Sequence, residues 1–210
     1  MKGSKEAPLR KIDLISYFLK GFYAKLYPDF YLPTILSHPA VPFSLFSIFG
    51  RKRIPISLLL FGILFSVLPD FDVIAFKLGI PYESDWGHRG FTHSIMFGAL
   101  LSLFAVLAKR FFQAPGLAIF LFLFVSILSH GLLDAMTTGG LGVGFWIPWD
   151  SERIFFAHRP IRVSPIGLKN FLTERGRIVL RSELLWIWLP AAGIIFLSIL
   201  VRWISRNRKA

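Results

Sequence analysis

Three short stretches of this sequence, and one glutamate beyond them, carry side chains of the kind that hold metal ions. Asp70 and Asp72 follow Pro69, His88 and His93 bracket Arg89-Gly90-Phe91-Thr92, His130 precedes Asp134 by one helical turn, and Glu183 comes later. Neutral imidazole and carboxylate oxygen are ligands that zinc, iron or manganese accept, while this many histidines suit magnesium less well. The chain has no cysteine, so thiolate catalysis, disulfides and Cys-ligated zinc or iron–sulfur sites are excluded. On a helix His130 and Asp134 stand one above the other and either share an ion or hydrogen-bond each other. Asp70 and Asp72 cannot share a face of a regular helix, but Pro69 marks a break at which both can turn inward. Gly90 places His88 in an approach loop and His93 at a helix start.

The elements that must position these residues are apolar. Of 210 residues, 54% are hydrophobic, mean hydropathy is +0.60, and the apolar residues fall in long runs, which places the chain in a bilayer. The runs are Ile54 to Leu68, continuing past the aspartates to Phe76, then Ser94 to Leu107, Leu117 to Leu133 and Leu184 to Ile204. Pro33 to Phe49 reads as a short span or a re-entrant segment. The stretch from Asp134 to Glu183 reads as a long polar loop, rich in aromatics, proline and glycine. Residues 1–31 read as an extension whose Leu14 to Leu26 stretch has the spacing of an interfacial amphipathic helix, without the pattern of a secretory signal. The expected fold is all-α, a polytopic membrane helix bundle of roughly four or five spans.

Tracing the spans alternately up and down gathers Asp70, Asp72, His88, His93, His130, Asp134 and Glu183 at one membrane face, with the basic clusters 51–53, 109–110 and 206–209 at the other. An ionisable group within a span costs roughly 2.5 to 3.5 kcal/mol at the helix centre, so such a gathering marks a site. Taken singly, the pieces have plainer readings. His130 and Asp134 can be a polar pair joining helices, the Asp70 turn a helix cap, His38 a structural histidine beside a proline, and His158 a loop residue. Trp186, Trp188 and Trp203 read as an interfacial belt, and Arg89 as an anion clamp or a headgroup anchor. The net charge of +12 is spread over chain ends and inter-span turns, which points to membrane lipids, anionic headgroups among them, and not to nucleic acid.

Gly87-His88-Arg89-Gly90-Phe91-Thr92-His93-Ser94, with Pro69-Asp70-Phe71-Asp72, Ser129-His130-Gly131-Leu132-Leu133-Asp134 and Thr138-Gly139-Gly140, resembles the YdjM family of bacterial inner-membrane, metal-dependent hydrolases. Pro33-Thr34-Ile35-Leu36-Ser37-His38, Val163-Ser164-Pro165-Ile166-Gly167 and Ser182-Glu183-Leu184-Leu185-Trp186 extend the resemblance from about Leu32 to the last helix, leaving residues 1–31 outside. It implies an inner-membrane hydrolase domain over 32–210 with His38, Asp70, Asp72, His88, His93, His130 and Asp134 as ligands and Glu183 in addition. A remoter likeness to the zinc-dependent phospholipase C and P1 nuclease group points to zinc as the divalent metal. The candidate ligands exceed one tetrahedral shell, which favours two ions. The substrate implied is a phosphodiester or other ester of a lipid or lipid-linked compound. Arg89 would hold a phosphate oxygen, and Ser94, Thr92 and Thr138 would contact substrate or ligands. A metal-ion transporter and a non-catalytic protein pinned by metal are the alternatives.

Overall fold

Proline, glycine and charged residues divide the apolar runs into helices. The computed structural model describes residues 31–32, 36–165 and 173–208, all within the unit Tyr31–Ala210. The amphipathic helix expected in Leu14 to Leu26 lies outside them.

Helix α1, Ala40–Phe49, follows Pro39 and ends at Gly50, whose φ of 74° suits the residue without a Cβ. Its ten residues rise about 15 Å, half of the roughly 30 Å hydrocarbon core, so α1 alone does not cross a bilayer. Helix α2, Ile56–Val67, starts after Pro55. At Pro69 it tightens into a 3-10 turn, Leu68–Val73, continued by the short helix Ile74–Lys77. Helix α3, Ile95–Ala105, begins where the Ser94 hydroxyl oxygen accepts the Phe97 N–H, and it runs on through further turns to Phe112. Helix α4 is Gly116–Ala135. Helix α5, Glu174–Glu183, is capped by the Thr173 hydroxyl and passes through a π-helical turn, Leu184–Trp188, into α6, Leu189–Asn207.

Four stretches among the described residues are long and apolar enough to span: Ile56–Val73, Ile95–Phe112, Gly116–Ala135 and Glu174–Asn207. The last corrects the loop expected up to Glu183. Three arginines give α5 a polar look, yet Gly176, Val179, Ser182 and Glu183 form one buried stripe.

Helix α4 is the hub, packing against α2 and α3 and touching α1, while α1 lies along α6. Leu58, Leu59 and Phe65 of α2 meet Ile119, Phe122, Leu123 and Ile127 of α4 in the main apolar cluster. Small residues let the backbones approach, as they must where lipid supplies no hydrophobic drive between helices. A Cβ on Gly62 would run into the Phe122 ring. Leu60, Leu64, Leu103, Phe104, Leu117 and Leu121 are left exposed, the outward face of a bundle solvated by lipid.

Candidate metal centre

Three spans bring their candidate ligands to one end. Asp70 comes from the 3-10 turn that Pro69 forces on α2, and His93 closes the turn Phe91–His93 just ahead of α3. His130 and Asp134 lie on the last turns of α4. One ligand atom from each of these four buried residues falls within 4.8 Å of all the others. His130 Nε2 stands 3.3 Å from Asp70 Oδ1 and 3.9 Å from Asp134 Oδ2, and His93 Nε2 stands 3.5 Å from Asp134 Oδ2. His38 joins at the edge. Its ring stacks on His130 at 3.7 Å, with Nε2 3.9 Å from Asp70 Oδ2 and 4.0 Å from Asp134 Oδ1.

The outer contacts fix which nitrogens face inward. The Ser66 carbonyl, which can only accept, lies 2.8 Å from His130 Nδ1, so Nδ1 carries the hydrogen and the Nε2 lone pair is left for the centre. Asp72 does the same for His93, whose Nδ1 is 3.2 Å from Asp72 Oδ2. Asp72 also takes His88 Nδ1 at 2.5 Å, the Thr92 hydroxyl at 2.7 Å and the Arg89 N–H at 3.1 Å. Asp72, His88 and His93 form a second group close enough to hold an ion, sharing His93 with the first. Because four donors already surround the oxygens of Asp72, its geometry is that of a clamp on two imidazoles.

Arg89 departs from its expected role. Its side chain is 0% exposed, and its backbone sits at φ 61°. Nε stands 2.9 Å from Asp134 Oδ2, NH1 donates to the Gly139 carbonyl at 2.9 Å and NH2 to the Thr137 hydroxyl at 3.2 Å. A guanidinium turned inward onto Asp134 is not offered to a substrate phosphate or a headgroup. Gly140, at φ 87°, leaves it room, since a Cβ there would meet the guanidinium and the Tyr82 hydroxyl. Ser94, expected to be catalytic, spends its hydroxyl oxygen on capping α3. Glu183, expected as a ligand, is buried and accepts the Ser37 hydroxyl at 2.7 Å, and it belongs to neither metal group. The Thr92 hydroxyl donates to Asp72 and lies 3.1 Å from His93 Nδ1. Thr138 is tied to Ile161 through its backbone N–H, whereas its neighbour Thr137 bridges Arg89 and the Asp134 carbonyl. His158 is exposed and its ring stands against Trp186.

Thr137, Tyr82 and Arg153 are site residues that sequence reasoning missed. Arg153 donates to the carbonyls of His88 and Ser84 at 2.8 Å and of Tyr82 at 3.1 Å. The Tyr82 ring stacks on His88 at 5.4 Å. Backbone carbonyls as acceptors leave no pattern in a sequence.

The residues fit a divalent ion. Among the described residues, both ring nitrogens of His38, Oδ1 of Asp70 and both carboxylate oxygens of Asp134 are buried without a well-directed hydrogen bond, a costly condition unless something else meets them. Three carboxylates, Asp70, Asp72 and Asp134, face one permanent cation, Arg89, which leaves two negative charges, the complement of a divalent ion. His93 is pulled both ways. Burial disfavours its charged form, but the carboxylates of Asp72 and Asp134 outweigh burial and raise its pKa to about 9. For His38, burial first and the neighbouring His130 second lower it to about 3, against the pull of Asp70 and Asp134.

A family model described as YdjM inner membrane protein matches residues 34–209. The inner membrane protein YbcI of Escherichia coli (strain K12) is 45% identical over 170 residues, 80% of this chain and 97% of that protein. No solved structure matches.

Proposed function

This chain belongs to the YdjM family of inner membrane proteins, and on that premise we propose that it is a membrane-embedded, metal-dependent hydrolase acting on a phosphodiester or other ester bond of a lipid or lipid-linked substrate. One observation carries the proposal: Asp70, His93, His130 and Asp134 present ligand atoms within 4.8 Å of one another. These four would hold the ion, with His38 closing the shell from its edge. A bound divalent ion, zinc by its donor set, supplies the Lewis acidity that activates water near neutral pH and stabilises developing negative charge. Asp72 locks His93 in the ligating tautomer and steadies His88. Arg89 holds Asp134 in place and keeps part of its charge compensated. Each candidate ligand lies near the end of a span, towards the interface where lipid ester and phosphodiester bonds are found. Ionisable side chains massed at span ends, and not strung through them, favour an enzyme over a transporter.

A second reading rests on burial: His38, Arg89, His130 and Asp134 are each 0% exposed, which also suits an ion that only pins helices together. Metal analysis of the full-length protein in detergent, followed by a screen of phosphodiester, phospholipid and carboxylic-ester substrates with and without chelator, separates the readings. Roughly one ion per chain and chelator-sensitive turnover are expected. Bound metal without turnover supports the pinning role, and a protein that takes up no metal overturns both.

A further inference from the structure

At the end of α4 opposite His130 and Asp134, a groove of about 420 Å³ opens between α1, the turn before α2 and α4. Leu45 and Phe49 line one wall, Ala118, Leu121, Phe122 and Val125 the other, and Arg53 with Ile54 closes the end. Its volume lies in the range of small-ligand sites, and its walls belong to helices whose outward faces are solvated by lipid. An acyl chain is what the bilayer offers such a groove.

Charge selects the headgroup. Arg51, Lys52 and Arg53 are consecutive and exposed, Arg53 itself lines the groove, and no acidic side chain does. Arg202 of α6 reaches Gly50 just before them, its guanidinium 3.1 Å from where a Cβ on that glycine would stand. Exposed Lys109 and Arg110 lie at the same end of the bundle, on a short helix in contact with α2 and α4. Basic residues beside apolar helices favour anionic lipid, each by an amount that falls off within a Debye length of the surface.

We propose that this groove is a binding site for one anionic phospholipid, its acyl chain between α1 and α4 and its phosphate on Arg53 and the neighbouring basic residues. The site does not depend on the hydrolase reading, because none of its residues belongs to the metal centre. A lipid held there joins α1, too short to anchor itself across the bilayer, to the hub helix.

The test uses the full-length protein in neutral detergent, with retained lipid read by native mass spectrometry against phosphatidylglycerol and phosphatidylcholine of identical acyl chains. Phosphatidylglycerol should be retained about five-fold better or more, the factor equivalent to roughly 1 kcal/mol per basic residue at an anionic headgroup. Arg53→Gln, at an exposed position, should cut that preference about five-fold without altering the helical content, and Ala118→Trp should reduce retention of both lipids by filling the groove. Equal retention of the two lipids overturns the proposal. So does an Arg53→Gln protein that keeps the full preference, or a dimer that covers the groove and carries no lipid.

Discussion

His93 and His130 face each other through their Nε2 atoms at 3.1 Å. Two imidazole lone pairs cannot meet at that distance without a proton or an ion between them. The carboxylates of Asp72 and Asp134 raise the pKa of His93 to about 9 against burial, so below that pH its imidazole carries a proton that such a contact can use.

Metal uptake should therefore release a proton and strengthen with pH. The folded pKa of His93, about 9, lies above its ordinary 6.5, so its stabilisation of the metal-free protein is complete below pH 6.5 and is lost as pH rises through about 9. Metal affinity should climb over that window, by up to roughly tenfold per pH unit for one displaced proton. Competition titrations from pH 6 to 9 in buffers of different ionisation enthalpy would measure both the slope and the proton released. A flat profile would mean that His93 binds no proton in the free protein.

Asp70 and Asp134 should respond differently to neutralisation. Asp134→Asn removes a ligand and also strands the buried Arg89 cation, so metal content should fall and the metal-free protein should lose about 3 to 5 kcal/mol of stability. Asp70→Asn should lower metal content while costing much less stability, since among the described residues Asp70 pairs with His38 and His130 and with no arginine. Metal analysis beside thermal unfolding of both variants checks the contrast.

Much of this centre was legible in the sequence, and the reasons differ by residue. His130 and Asp134 were readable because helical periodicity alone puts them on one face. Asp70 and Asp72 were expected to turn inward at Pro69, and the 3-10 turn does turn them inward. What the sequence could not divide was their labour. The same residue type two positions apart becomes a candidate ligand with an oxygen left open in one case and a saturated clamp in the other, and the difference is made by the loop carrying His88 and Thr92 folding back on Asp72. Arg89 misled for a similar reason: its partners Asp134, Thr137 and Gly139 lie far along the chain, and a lone arginine between histidines looks like an anion site. Among the helices, α5 was hidden because its buried stripe is narrow and its other faces carry arginine.

Ser94 should prove structural. Replacing an N-cap serine by alanine costs about 1 kcal/mol and by glycine only a few tenths, so Ser94→Ala should lower the unfolding midpoint more than Ser94→Gly does, with metal content unchanged in both. Loss of hydrolysis in both variants at full metal content would restore a catalytic role to the hydroxyl.

Arg89→Lys distinguishes a positioning arginine from a substrate clamp. A clamp would lose turnover of phosphodiesters and keep its metal, because lysine retains the charge but not the planar fork. The structure leads to the opposite split. Arg89 Nε is 2.9 Å from Asp134 Oδ2 while its other nitrogens hold Gly139 and Thr137, so a lysine, a single point of charge, cannot keep Asp134 aimed and bind both oxygens at once. Losing a partner that orients a ligand typically lowers metal affinity about 10- to 100-fold, and Arg89→Lys should fall in that range with metal content failing before any change in KM at saturating metal. Restoring metal should restore turnover. If metal affinity is unchanged and only phosphodiester turnover falls, the guanidinium faces substrate in the working protein and Asp134 is held by something else.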